Sequence, residues 1–372
     1  MMKAIQVNQF VSPSLDNIDE AITMSDKVSM PAIQLSSSSK KGKPSKNNKM
    51  LVRVLACSIS PGDALMVHGN MIFMHPDTFP FTPGMDICGR IVDSNHSASF
   101  KNGDIIVASN GTMPQGGMAE YMIVDEAEAV LKPSTVSVDK AAASSSAITA
   151  RNAVLDNVKA GDRVLILGGS GGVGSAAIAL AKHSKHGKAS FVATTSTQAD
   201  LCKSLGADVV IDYTKDNWWE MEWEQPFDKI IDTVGGGNFT NKAHRVLKPG
   251  RLGGAFIAVA GDDPKPDLTT VWKAMKFMFG LPLRPMYTWL NARRLPSYKL
   301  LMPYDIPEGR AEVLGMMERG ELDVTLDARS PFAFNENGVK VAFRAVIGGH
   351  AHGKIVVSIK GGEQDGDGAD DE

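Results

Sequence analysis

Only three cysteines occur in 372 residues, and Cys57, Cys88 and Cys202 lie far apart in the chain. With no Cys-x-x-Cys pair they cannot build a disulfide framework, and a reducing compartment is the simplest fit. Long apolar runs are missing too. No stretch reaches the roughly 18 to 20 residues that a membrane-spanning helix requires, so no integral membrane segment is expected. Charge of one sign is scarce: 39 Lys+Arg stand against 42 Asp+Glu, a net of -3, and nothing global points to a nucleic-acid partner. The imbalance is local, because six acids and no base follow Lys360, which leaves the body at about +3. The N-terminus lacks the charged, apolar and small-residue succession of a secretory signal, and Asp16, Asp19 and Glu20 break the pattern of an acid-poor presequence. The expected location is cytoplasmic.

What is present is ample apolar material, 43% of residues, enough for two or three ordinary cores. Through residue 130 the chain reads as short strands broken by turns, among them Met50–Ala56, Ile87–Val92, Asp104–Ala108 and Ala119–Val124. That rhythm predicts a compact β domain, a sandwich or barrel. Within it, Ser36–Lys49 is polar and Ser/Lys-rich without apolar periodicity, and reads as a flexible insert (36–49) between two strands. No aromatic residue interleaves with its five lysines, which argues against a nucleic-acid surface.

From Ala141 strands and helices alternate, the pattern of a parallel sheet covered on both faces. The strand candidates are Val164–Leu167, Ser190–Ala193, Asp208–Ile211, Lys229–Thr233 and Leu252–Val259. Helices are expected over Val173–Leu180, over Phe239–Leu247 and around Arg310–Arg319. Tyr298–Met302 adds a strand, and two strand-like runs close the chain at Ile359. Between Pro264 and Pro296 lies a Met- and aromatic-rich segment with Lys273, Lys276, Arg284, Arg293 and Arg294. It reads as helices capping the core or a homodimer contact, with an amphipathic membrane-surface element as the alternative.

The sharpest motif is Val164-Leu-Ile-Leu-Gly-Gly-Ser-Gly-Gly-Val-Gly174, which sets Gly169-x-Gly171-x-x-Gly174 between a buried strand and a helix. In that context Gly169 is expected to permit the tight turn, Gly171 to let the backbone approach a pyrophosphate, and Gly174 to let helix and sheet pack closely. The helix N-terminus beyond them offers N–H groups to an anion. About 20 residues on, where an NAD site places an acid on the ribose 2′-hydroxyl, the chain reads Ala193-Thr-Thr-Ser-Thr197. No carboxylate repels a 2′-phosphate there, which favours NADPH, although no Arg lies nearby either.

These residues resemble the zinc-independent, quinone-oxidoreductase-like branch of the medium-chain dehydrogenase/reductase superfamily. Similar segments are Ser60-Pro-Gly-Asp63 with His68-Gly69, Pro83-Gly-Met-Asp-Ile-Cys-Gly89, Phe100–Val107 and Gly116–Tyr121. Leu205–Tyr213, Asp232–Gly236, Val246–Gly250 and Gly349–Lys354 continue the series. The resemblance implies an α/β fold: a GroES-like β-barrel catalytic domain (1–130 and 304–360), a Rossmann doubly wound parallel-sheet domain (131–303) and a disordered acidic tail (361–372). It implies reduction of quinones or α,β-unsaturated carbonyl compounds by NADPH. Carried over, Ser170, Gly172 and Val173 would hold the pyrophosphate, Ser196 and Tyr213 the 2′-phosphate side, and Thr233 would lie along the cofactor. The turn containing His350 and Lys354 would close over it. One departure is Gln198, where many NADPH-using relatives have Lys.

Zinc members of the superfamily need three protein ligands and an open fourth position. Here the first two ligand positions read Ser60 and Met85, and no cysteine cluster exists for a structural zinc, so no metal is expected. Without a Lewis acid the substrate must accept hydride easily, as quinones and enones do. Ser60 or a bound water is then the expected donor to the substrate oxygen, and Asp63 is the orienting partner of that donor or a turn-capping carboxylate. The alternative is an NADPH-binding redox-sensing or interaction protein with little turnover.

Overall fold

The computed structural model describes residues 1–12, 14–33, 48–70, 79–109, 116–183, 188–263, 268–273, 275, 283–301, 307–349 and 351–359. His350, most of the Lys-rich insert and the acidic tail therefore lie outside the described residues.

The chain opens with strand β1 (Met2–Val7), a single turn of helix α1 (Ile18–Ala21) and strand β2 (Ile22–Val28), which pairs antiparallel with β1. Strand β3 (Lys49–Ile59) is the spine of the first sheet. Its residues from Val54 to Ile59 are all buried, because it pairs on both sides. Along one edge it pairs first with β6 (Tyr121–Asp125) and then with β15 (Ile355–Ser358); along the other it pairs with β4 (Asp86–Asp93). With β5 (Ile105–Ser109), β7 (Ala129–Leu131) and β14 (Phe332–Ala333) the order is β14-β15-β3-β4-β5-β7, with β6 off the path. Strands from both ends of the chain thus share one sheet. Its core is built from Val52, Val54, Ile59, Ile87, Ile91, Met118, Phe343 and Val357, all buried. Helix α2 (Pro61–Val67) follows β3 directly. Asn48, read from sequence as insert, instead accepts from the Glu126 N–H, and Lys49 already belongs to β3.

Helices α3 (Val138–Ala142) and α4 (Ser145–Val154) lead into the second sheet. Its elements are β8 (Arg163–Leu167), α5 (Gly172–His183), β9 (Phe191–Thr195), α6 (Ala199–Ser204), β10 (Val209–Ile211), β11 (Lys229–Asp232), α7 (Asn238–Asn241), β12 (Ala255–Ala258) and β13 (Ser297–Leu300). The order is β10-β9-β8-β11-β12-β13, parallel throughout. The order reverses between β8 and β11, and ligands of such sheets bind beyond the carboxyl ends of the strands at that reversal. One buried cluster joins Ala56, Cys88 and Val107 of the first sheet to Ile148, Ile166 and Val313 beside the second, so the two sheets meet through a dry seam.

Two helical expectations differ from the structure. The helix predicted over 239–247 stops at Asn241, because Phe227 turns its N–H to the Val246 carbonyl, a pairing that a continuing helix would forbid. A twelve-residue helix, Glu336–Ile347, stands between the last two strands where only strand-like runs were read. Asn335 caps it by accepting from the Gly338 N–H, and Val339, Ala342 and Phe343 form its buried stripe. In the Met- and aromatic-rich segment, helix Leu283–Leu290 buries only Thr288, whose hydroxyl accepts from the Tyr298 N–H. Leu283, Met286, Tyr287, Trp289 and Leu290 are exposed. Among the described residues no helix is long and apolar enough to cross a membrane.

Candidate active site

The glycine turn lies at the switch between β8 and β11. Gly168, not Gly169, takes the left-handed conformation, with φ of 85°. Its N–H donates to Thr195 Oγ1 at 2.9 Å, and the Gly169 N–H donates to the Thr195 carbonyl at 3.0 Å, which ties the turn to the end of β9. Gly169 is a packing glycine: a Cβ there would run into the Thr194 hydroxyl. At Gly174 a Cβ would overlap the Gly168 carbonyl, so only glycine lets α5 start so close to β8. Gly171 differs. A Cβ there would meet only the Gly168 carbonyl oxygen, at 3.5 Å, and otherwise points into open space. Gly172 and Val173 form the first turn of α5, so the residues present fit a pyrophosphate at the N-terminus of a helix.

Around this cradle, Thr233 donates to the Leu167 carbonyl at 2.7 Å and sits over Gly168. Tyr213 follows β10 and is 56% exposed. Ser196 is only 2% exposed, and its hydroxyl already accepts from the Gln198 N–H at 2.9 Å. From the first domain, the turn before β15 docks on the cradle: Gly353 bridges to Gly171. His352 reaches both cofactor-side turns, its Nδ1 at 3.4 Å from Ser170 Oγ and its Nε2 at 3.3 Å from Gln198 Nε2. The His352 N–H donates to Asp327 Oδ2 at 2.9 Å, and Arg329 grips the same carboxylate through both its oxygens.

Lys354 turns the other way. A Cβ on Gly172 would lie 3.5 Å from its Cβ, yet its ammonium is buried 3.9 Å from Asp86 Oδ2. Asp86 begins β4 and accepts from the Ser109 hydroxyl at 2.7 Å. Next to it is the Ser60–Asp63 pair at the start of α2. Ser60 donates from Oγ to Asp63 Oδ2 at 2.7 Å and from its backbone N–H at 2.8 Å, while the Met85 N–H donates to Asp63 Oδ1 at 3.1 Å. This is a capping box, the structural role weighed for Asp63 from sequence, but the carboxyl is also wholly buried. Burial first, then the Asp86 charge, push it up to about 6, against the Ser60 bonds and Lys354. Burial, then Asp63 and Asp86, raise the Cys57 thiol well above its ordinary value.

The donor set does not fit catalytic zinc. Ser60 spends its hydroxyl on Asp63, and the Met85 thioether methyl packs against Gly62. Among the described residues no three His, Cys, Asp or Glu side chains are grouped to hold a metal ion. Sequence reading did not single out Asp86, although it sits inside the Pro83–Gly89 segment, and named His352 only as a member of the turn from His350 to Lys354. Their significance lies in contacts with residues 268 and 154 or more positions away.

Residues 46–134 match the alcohol dehydrogenase GroES-like domain family, and residues 205–357 match a family described as zinc-binding dehydrogenase. A 2-methylene-furan-3-one reductase of Solanum lycopersicum is 32% identical over 323 residues, covering 84% of this chain and 72% of that protein. The chain belongs to the medium-chain dehydrogenase/reductase superfamily. An NADPH-dependent alkenal/one oxidoreductase of Arabidopsis thaliana, named chloroplastic, is 30% identical with the same coverage. The fold is that of a quinone oxidoreductase from Coxiella burnetii, with a TM-score of 0.73, 24% identity and coverage of 96% of this chain and 99% of that one. GroES-like sheet and Rossmann-type sheet are thus both accounted for. The zinc in the second family's description has no counterpart in this chain's ligand positions.

Proposed function

We propose that this protein is a zinc-independent, NADPH-dependent reductase of quinones or α,β-unsaturated carbonyl compounds. The observation that carries the reading is the meeting of an open glycine cradle with a cluster of half-buried Ser60 and buried Asp63, Asp86 and Lys354 that, among the described residues, lacks a metal's donor set. Relatives whose names specify reduction of a methylene-furanone and of alkenals support the substrate class. Gly169–Gly174 and Thr233 hold the cofactor at the switch point, with Ser196 and Tyr213 on its ribose side and the Ala351–Lys354 turn above. NADPH supplies the hydride.

The chain's own contribution is a proton donor and a dry cleft. With Asp63 ionised, Ser60 points its hydrogen at the carboxylate. Once Asp63 is protonated it donates to Ser60 Oγ instead, and the serine hydrogen turns toward the substrate oxygen. A carboxyl held near 6 can carry that proton in mildly acidic to neutral solution. We assign residues 1–130 and 304–360 to the substrate domain and 131–303 to the cofactor domain. A homodimer is supported by the outer edge of β13, unpaired among the described residues, and the exposed apolar face of helix Leu283–Leu290 beside it. Three buried cysteines, none of them in a disulfide, fit a reducing compartment such as the cytoplasm.

The test is NADPH oxidation with a panel of simple quinones, enals and enones, alongside direct NADPH binding. Turnover of at least one of these acceptor classes is expected. Tight binding of NADPH without turnover of any acceptor would replace the reductase by a nucleotide-binding sensor.

A further inference from the structure

The 2′-phosphate of NADPH needs a counter-charge, and the turn after β9 supplies none: it reads Ser196-Thr-Gln-Ala199. Ser196 is buried and its hydroxyl is occupied by the Gln198 N–H. Neighbouring cations are committed elsewhere. Lys182 is paired with Asp208 at 2.7 Å, Lys215 with Asp212 at 2.9 Å, Arg329 with Asp327 at 2.7 Å, and Lys354 faces Asp86. Lys203 lies in the last turn of α6, beyond this loop.

We propose that His352, reaching over from the substrate domain, is the counter-charge and specificity residue for the 2′-phosphate. The inference rests on the NADPH-reductase reading and assigns its selectivity to a residue outside the Rossmann sheet. The His352 Nε2 lies 3.3 Å from Gln198 Nε2 and its Nδ1 3.4 Å from Ser170 Oγ, so one imidazole spans the 2′-phosphate turn and the pyrophosphate turn. A phosphate entering between Gln198 and His352 takes the place of the amide at the ring Nε2, which can donate an N–H to a phosphate oxygen.

Among the described residues, the charged groups that the contacts place at the ring are few. From its own side, Asp327 holds the backbone N–H and is itself neutralised by Arg329, while Lys354 points away toward Asp86. From the cofactor side the partners, Ser170 and Gln198, are neutral, and the nearest acid in sequence is Asp200 in the first turn of α6. NADH carries no group at that position and leaves the Gln198–His352 contact undisturbed. Selectivity therefore comes from a contact made between the turn before β15 and the Rossmann-type sheet.

The experiment titrates NADPH, NADH, 2′,5′-ADP and 5′-AMP into the full chain and into His352→Gln and His352→Arg, with thermal melts to verify folding. Loss of a charged hydrogen bond weakens binding by about ten- to a hundredfold, so His352→Gln should lose that much for NADPH and 2′,5′-ADP, with NADH and 5′-AMP changed less than threefold. His352→Arg restores a permanent charge and should recover the NADPH preference. Equal losses for NADPH and NADH would mean a pyrophosphate or packing role, and an unchanged ratio would mean no role; either overturns the inference while leaving the reductase reading intact. Failure of the wild type to bind either nucleotide would overturn both.

Discussion

Replacing Asp63 by Asn removes the buried carboxyl on which Ser60 and Met85 converge. The fold raises that group from 3.8 to about 6, chiefly by burial and secondly by the Asp86 charge. Native protein therefore binds this proton more tightly than the unfolded chain does. Between about pH 4 and 6 the native state holds more protons at this site, so stability falls as pH rises through that window. At about 1.36 kcal/mol per pKa unit, the site's contribution falls by about 3 kcal/mol between pH 4 and neutrality. The Asp63→Asn variant has no proton to lose. Its cost in hydrogen bonds, since an amide cannot accept from all three donors, is nearly constant with pH and drops out of the comparison. Chemical denaturation of both proteins at intervals across about pH 4 to 8 should show wild type losing about 3 kcal/mol relative to the variant. Parallel stability profiles would refute a raised Asp63, and with it the proton-donating role of the Ser60–Asp63 pair.

Asp86→Asn removes the second cause of that shift, so the fall in kcat with rising pH should begin lower, by on the order of one unit; a pH–rate profile with an enone measures it, and an unmoved limb counts against the coupling. Gly174→Ala puts a methyl where the Gly168 carbonyl stands. It should cost about 1 to 3 kcal/mol of stability and at least about tenfold in NADPH affinity, read by thermal melts and nucleotide titration; unaltered affinity would mean the cradle is misassigned. Metal analysis of purified protein should find no stoichiometric zinc, and activity should survive a chelator. One tightly held zinc per chain would contradict the ligand reading at Ser60 and Met85.

Local pattern fixed a good deal of this molecule. Glycines spaced between an apolar strand and a small-residue helix face predict a tight strand-to-helix turn, because backbone sterics act over a few residues. Strand and helix alternation after Ala141 likewise marks a parallel sheet, since period and turn chemistry are local. The same argument failed where a distant partner intervened: Leu247 left its predicted helix for Phe227, and helix Glu336–Ile347 went unread among strand-like neighbours. The chemistry of the site lay further beyond reach. Whether Asp63 is a solvated cap or a buried acid depends on Asp86, Met85 and Lys354, brought to it from three other elements. Whether Ser196 can face a phosphate depends on the rotamer that Gln198 holds. His352 matters only because the folded chain lays the turn before β15 across a cradle some 180 residues upstream. Burial and long-range electrostatics are properties of the closed three-dimensional arrangement, and no spacing along the chain encodes them.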